Sequence, residues 1–343
     1  MMNYRNRTLG ALTVKIYIVI LFIAIGAFLY GCAALQEAGE KRQKRLDERR
    51  DPKHLMLTAS KGNIDIDANP LEGKPHGESE HYTLTFAEDL LAKDDFDEEK
   101  ERETFTGSAL SYMESLYDEL HNIYGFKPTH KIHVTLYDLY RGTNRLAVTG
   151  TQYKYGNNIK TVTGITMHFP MRMYDKVEVR VHELTHAFTN IYFLPTWFNE
   201  GVAVLMQMEY AKGSGHPKFE SLERSLKLDL NGINELENWG GHIESTPLTH
   251  WRYSYAYTVV SELRKRFGKD LYIKVFELME ADQLHQKLAG KMPTSFIVYY
   301  VSQAAGVDLV PFFQNLKFNV RKIDKKDILL YIQQQNKQPH IHN

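Results

Sequence analysis

The chain has 343 residues, with 42 basic and 42 acidic side chains and a formal net charge of zero. Balanced charge gives no electrostatic reason for a nucleic-acid partner, and 43% hydrophobic with 12% aromatic content excludes the disordered class. A single cysteine, Cys32, rules out an intrachain disulfide, a cysteine zinc finger and a CxxC redox pair, so any metal site must be built from histidine and carboxylate.

In chain order, Arg5, Arg7 and Lys15 precede an uninterrupted apolar run from Ile16 to Tyr30. The run is short for a hydrocarbon core of roughly 30 Å but suits the apolar region of a secretory signal. It ends in "LYGC", Leu29 to Cys32, which resembles the lipobox of bacterial lipoproteins, with Tyr30 a departure from the usual small or β-branched residue. The resemblance implies removal of residues 1–31, lipidation of Cys32 and a place in the bacterial cell envelope. The alternative is an uncut signal anchor with Cys32 an incidental thiol; either exports the chain and tethers it to a membrane. Residues 32–54 carry many charges of both signs and few large apolar side chains, the composition of a solvated tether.

From 55 to 170 the signals are mixed. "HYTLTF" and "KIHVTLYDL" alternate as strands do, and "NNIKTVTGITMHFP" reads as another, stopped by Pro170. Between the first two, Leu110, Met113, Leu116, Tyr117 and Leu120 fall at helical spacing in a helix that ends on Gly125. Asp65, Asp67 and Asn69 imitate an EF-hand, but Pro70 stands where that loop needs glycine and His76 where it needs glutamate. From 171 to 335 the signals are mainly helical, and 336–343 reads as a frayed tail containing His340 and His342. A sheet-bearing half followed by a helical half predicts an α+β fold.

Within the helical part, Val177, Val181, Leu184, Phe188 and Ile191 recur at intervals of three and four, marking one amphipathic helix. His182 and His186 stand one turn apart on it, about 6 Å along the axis, so both rings can address one ion. Glu183, rotated roughly 100° from His182, can reach a water on that ion without ligating it. An HExxH pentad nevertheless arises by chance in roughly one chain in twenty with this many histidines, so a third ligand is required. Glu200 fills the role. It sits in "WFNEGVAVLM", apolar almost all round, where a carboxylate is costly unless paired or bound to metal. Neither arginine nor lysine lies between Arg180 and Lys212 to pair with it, which favours zinc, and Gly201 beside it permits close helix packing.

HELTH followed by WFNEG resembles the gluzincin superfamily of zinc metallopeptidases. "HELTHA" is similar to the active helix of thermolysin-like enzymes and "WFNEGVA" to the third-ligand helix of gluzincin aminopeptidases. The short link between them is most similar to the peptidase-MA-like group, and the match covers roughly residues 177–210. It implies a zincin-like α+β fold, Zn²⁺ on His182, His186 and Glu200, Glu183 as general base, and a peptide or protein substrate. It also suggests an edge strand near Gly164–Phe169 that pairs with extended peptides. The aminopeptidases' catalytic tyrosine corresponds to Tyr253, with Tyr255 and His250 as alternatives for stabilising the oxyanion; His168 is expected to be structural. Val204 stands where thermolysin-like enzymes carry an aspartate that orients a histidine ligand, so Asn199 or a backbone carbonyl must take that task. Two rivals are a non-catalytic zincin scaffold that binds peptide or protein, for which Glu183 would be superfluous, and a zinc hydrolase of a non-peptide bond.

Overall fold

The computed structural model describes residues 76–87, 99–137, 147–156, 159–211, 216, 218–222, 236–237, 239 and 247–335. The apolar signal run, Cys32, the 32–54 tether, the EF-hand-like stretch from Asp65 and the 336–343 tail lie outside the described residues.

Alternating apolar residues build a mixed sheet. β1 (Gly77–Glu78) and β2 (Tyr82–Phe86) precede α1 (Glu99–Tyr124), then come β3 (Ile132–Tyr137), β4 (Val148–Gly156) and β5 (Ile159–Pro170). The strand order is β1-β2-β3-β5-β4, with β2, β3 and β5 parallel and the two edge strands antiparallel. Leu84 faces Val134, Val134 faces Met167 and Met167 faces Thr149, so one row crosses the sheet on a single face. Three members of that row are apolar and at most 2% exposed; its last, on β4, is a threonine.

The helices follow as α2 (Met171–Tyr174), α3 (Val177–Thr189), a 3-10 turn (Asn190–Tyr192), α4 (Thr196–Tyr210), α5 (Pro247–Phe267), α6 (Leu271–Ala281), α7 (Leu284–Lys287), α8 (Thr294–Ala305), α9 (Val310–Asn315) and α10 (Lys325–Gln335). α1 packs on β1 and β2 and α3 on β4 and β5, while α4 lies between α3 and α5. Tyr117 and Tyr124 of α1 meet Phe188 of α3 at ring distances of 5.1 and 5.9 Å, joining sheet and helices in one apolar core. None of the described helices is long and apolar enough to cross a membrane. The fold is α+β, as the order of signals predicts.

Local geometry corrects two expectations. The helix expected to run through Ile191 ends at Thr189, and its last turn tightens into the 3-10 segment. Phe193, at φ 52°, then reverses the chain into α4. The stretch Gly164–Phe169 is not an edge: it lies within β5, bonded to β3 on one side and to β4 on the other. The edge belongs to β4, "VTGTQYKYG", whose threonines and tyrosines do not alternate with aliphatics in the way that marks a strand.

Candidate metal centre

Two helices meet to form the site. α3 supplies His182, Glu183 and His186 from consecutive turns, and α4 supplies Glu200. Close approach is possible because residue 201 is glycine: a Cβ there would stand 2.8 Å from the Ala256 carbonyl of α5. Nε2 of His182 lies 3.2 Å from Nε2 of His186, and Oε2 of Glu200 lies 3.2 and 3.4 Å from those two nitrogens. Among the described residues this is the one histidine–carboxylate group whose ligand atoms could share a metal ion.

The triangle suits a small tetrahedral metal ion. A tetrahedral ion with bonds of about 2.0–2.1 Å has ligand-to-ligand edges of about 3.3–3.4 Å, which matches the observed triangle. Glu200 Oε2 is buried and makes no hydrogen bond of good geometry, although two ring nitrogens are near. Nδ1 of His182 stands 3.1 Å from Gln207 Oε1, an acceptor, so Nδ1 carries the proton and Nε2 presents a lone pair to the cluster. Electrostatics inside the cluster are strong. Burial pulls the His186 pKa down, but the Glu200 carboxylate outweighs it, with smaller contributions from Glu183 and Asn199, and raises it to about 9. Burial likewise works against charge on Glu200, yet the neighbouring His186 and His182 hold its carboxyl well below the ordinary range.

Glu183 is buried beside the triangle without belonging to it. The Thr149 hydroxyl of β4 lies 2.8 Å from Glu183 Oε2 and 2.8 Å from the Glu183 backbone carbonyl. Tyr253, near the start of α5, brings its ring within 6.3 Å of the His182 ring and packs edge-on against Trp239 at 4.8 Å. Burial, and then the Glu200 and Glu183 carboxylates, push its pKa well above 10, so the hydroxyl keeps its proton. Tyr255 is fully enclosed, stacked on Trp251 at 4.9 Å, and His250 is exposed. Of the three oxyanion candidates, Tyr253 is the one whose ring faces a ligand.

Asn199 accepts from Thr189 at 2.6 Å and donates to Asn190 at 2.9 Å, tying down the end of α3, and its side chain also bonds toward His186, while the partner of His182 is Gln207. Gln207 lies seven residues, about two helical turns, beyond Glu200, so the spacing carried a signal one turn past Val204. His216 has no such signal. It comes from the segment after α4, packs 4.9 Å from the Tyr253 ring and 6.0 Å from His250, and is held neutral with a pKa near 4 by burial, then by His182 and His250. His168, on interior strand β5, is likewise lowered by burial to about 4 and is not in the cluster.

Neither a family model nor a curated protein matches the chain. Among solved structures, it is similar to "a functionally unknown conserved protein mutant from Bacillus anthracis str. Ames", at 14% identity and a TM-score of 0.42. The likeness covers 76% of this chain and 51% of that one, so it spans about half the length of that protein. A likeness that distant carries no argument about activity.

Proposed function

We propose that the chain is a zinc-dependent peptidase of zincin-like fold, exported and held at the bacterial membrane through a lipidated Cys32 or an uncut signal anchor. One observation carries the reading. A partly buried triangle of ligand atoms at tetrahedral spacing adjoins a carboxylate, Glu183, that stands next to a ligand yet outside the ligand set. Bound by His182, His186 and Glu200, zinc would supply a Lewis acid and bring the pKa of a water toward about 7. Glu183 takes the proton of the attacking water as it adds to the peptide carbonyl, then hands it to the leaving amine. The Tyr253 hydroxyl donates to the developing oxyanion without changing its own charge. β4, bonded to β5 along one side and touching α3, supports an extended peptide lying along the sheet edge beside the cluster.

Elemental analysis of purified, zinc-supplemented protein should find about one zinc per chain, lost in His186→Ala and Glu200→Ala. Glu183→Gln should keep the metal and lose cleavage of a mixed peptide library by roughly 10²–10⁴-fold. Zinc without cleavage would leave a peptide-binding scaffold, and hydrolysis confined to non-peptide bonds would move the chain to another hydrolase class. Absence of metal would overturn the reading altogether.

A further inference from the structure

We propose that Thr149 is the positioning residue of Glu183, holding one carboxylate oxygen so that the other takes the proton. The proposal rests on the peptidase reading above. Its starting point is the row Leu84, Val134, Met167, Thr149, where three apolar side chains are followed by a buried hydroxyl. Valine would fill that position with nearly the same shape. A buried hydroxyl is costly unless it is bonded, and here both acceptors within reach belong to one residue of α3, Glu183.

One hydroxyl has one hydrogen. The ionised carboxylate takes it in preference to a helical carbonyl, because a charge-assisted bond is the stronger. Oε2 is then engaged by Thr149, and Oε1 is left to accept the proton of the attacking water. When Oε1 carries the proton, Oε2 is the carbonyl oxygen of the acid and goes on accepting from Thr149. Glu183 thus stays bonded in both protonation states, as a group that accepts and returns a proton requires. The strand that carries Thr149 is itself registered against the helix. Tyr153 of β4 donates to Asn190 O at 2.9 Å, and Lys160 of β5 donates to Ile191 O at 2.6 Å, both just past the end of α3. Thr149 therefore stands on a strand pinned beyond the helix end, and its reach to Glu183 does not depend on a mobile loop.

The test uses the zinc-loaded full chain, Thr149→Val, which keeps the shape, and Thr149→Ser, which keeps the hydroxyl. With a quenched-fluorescent peptide chosen on the wild type, Thr149→Val should lower kcat by about 10- to 100-fold with KM nearly unchanged. Thr149→Ser should restore most of the loss. Zinc content should match wild type in both, melting temperature should fall by several degrees in Thr149→Val alone as one buried bond is lost, and a crystal structure of Thr149→Val should show the Glu183 carboxylate turned away from its wild-type position. An unchanged kcat in Thr149→Val, a loss shared equally by Thr149→Ser, or a loss confined to KM would overturn the proposal. Should the wild type cleave no peptide, the peptidase reading falls by itself. The crystal structures then decide about Thr149: a displaced Glu183 supports the positioning and an undisturbed one refutes it.

Discussion

Adding one methyl group at Gly201 tests how the third ligand is held in place. A Cβ there would lie 2.7 Å from Val260 Cγ2 and 2.8 Å from the Ala256 carbonyl oxygen, both on α5. The Val260 side chain can swing aside, but the Ala256 carbonyl belongs to the helix backbone. Relief to an ordinary contact therefore parts α4 from α5 by about 0.7 Å. Overpacking of this kind costs about 1–3 kcal/mol, and the better helix propensity of alanine returns about 1 kcal/mol. Gly201→Ala should thus destabilise the protein by up to about 2 kcal/mol, or up to roughly 4–8 °C in Tm for a domain of this size. Glu200 is the preceding residue, so the same movement strains the 3.2 and 3.4 Å approaches to the two histidines. Calorimetric melting with zinc and with a chelator should show a larger deficit in zinc, because weaker binding also reduces ligand stabilisation. A variant that melts above wild type in chelator would refute the close helix crossing, and an equal deficit in both conditions would refute its coupling to the metal.

Removing the acceptor that sets the His182 tautomer, by Gln207→Leu, should weaken zinc affinity by about 10- to 100-fold while the chain stays folded, as read by competition with a chromogenic chelator. His186, at about 9, is charged at neutral pH and must lose its proton to become a ligand. Zinc titration in buffers of different ionisation enthalpy should therefore report about one proton released at pH 7 and much less at pH 10, and equal release would contradict the assignment. In the metal-free protein the stabilisation from this raised pKa is full below the ordinary histidine value of 6.5 and fades as pH rises through about 9. The depressed Glu200 acts in the opposite sense, its contribution fading as pH falls below the ordinary carboxylate range. Chelator-treated protein should accordingly lose Tm on both sides of that window. Tyr253→Phe should lower kcat by about 10²–10³-fold with little change in KM; a silent substitution would pass the donor role to His216 or His250.

What was legible in the sequence is what depends on near neighbours along the chain. Two histidines four residues apart must share a helix face once the segment is helical, and Glu183 must then flank them. A carboxylate in the apolar run of α4 needed a partner, and Gly201 beside it marked a close crossing, which the distance to Ala256 bears out. The α+β layout followed from the order of alternating and helical segments. Gln207, two turns from Glu200 on α4, falls at a helical spacing visible in the sequence, one turn beyond Val204.

Only the tertiary structure decided which strand forms the edge, because sheet order is set by pairing between distant segments. β5 follows β4 in the chain yet inserts between β3 and β4. The same distant pairing sets Thr149 opposite Met167 and thereby against Glu183, a meeting of residues 34 apart that no local period announces. His216 reaches Tyr253 from a segment with neither helical nor strand periodicity to say where it points. The ligand triangle itself has this dual origin: helix geometry sets the spacing of His182 and His186, while the approach of Glu200 depends on how closely α4 can settle between α3 and α5.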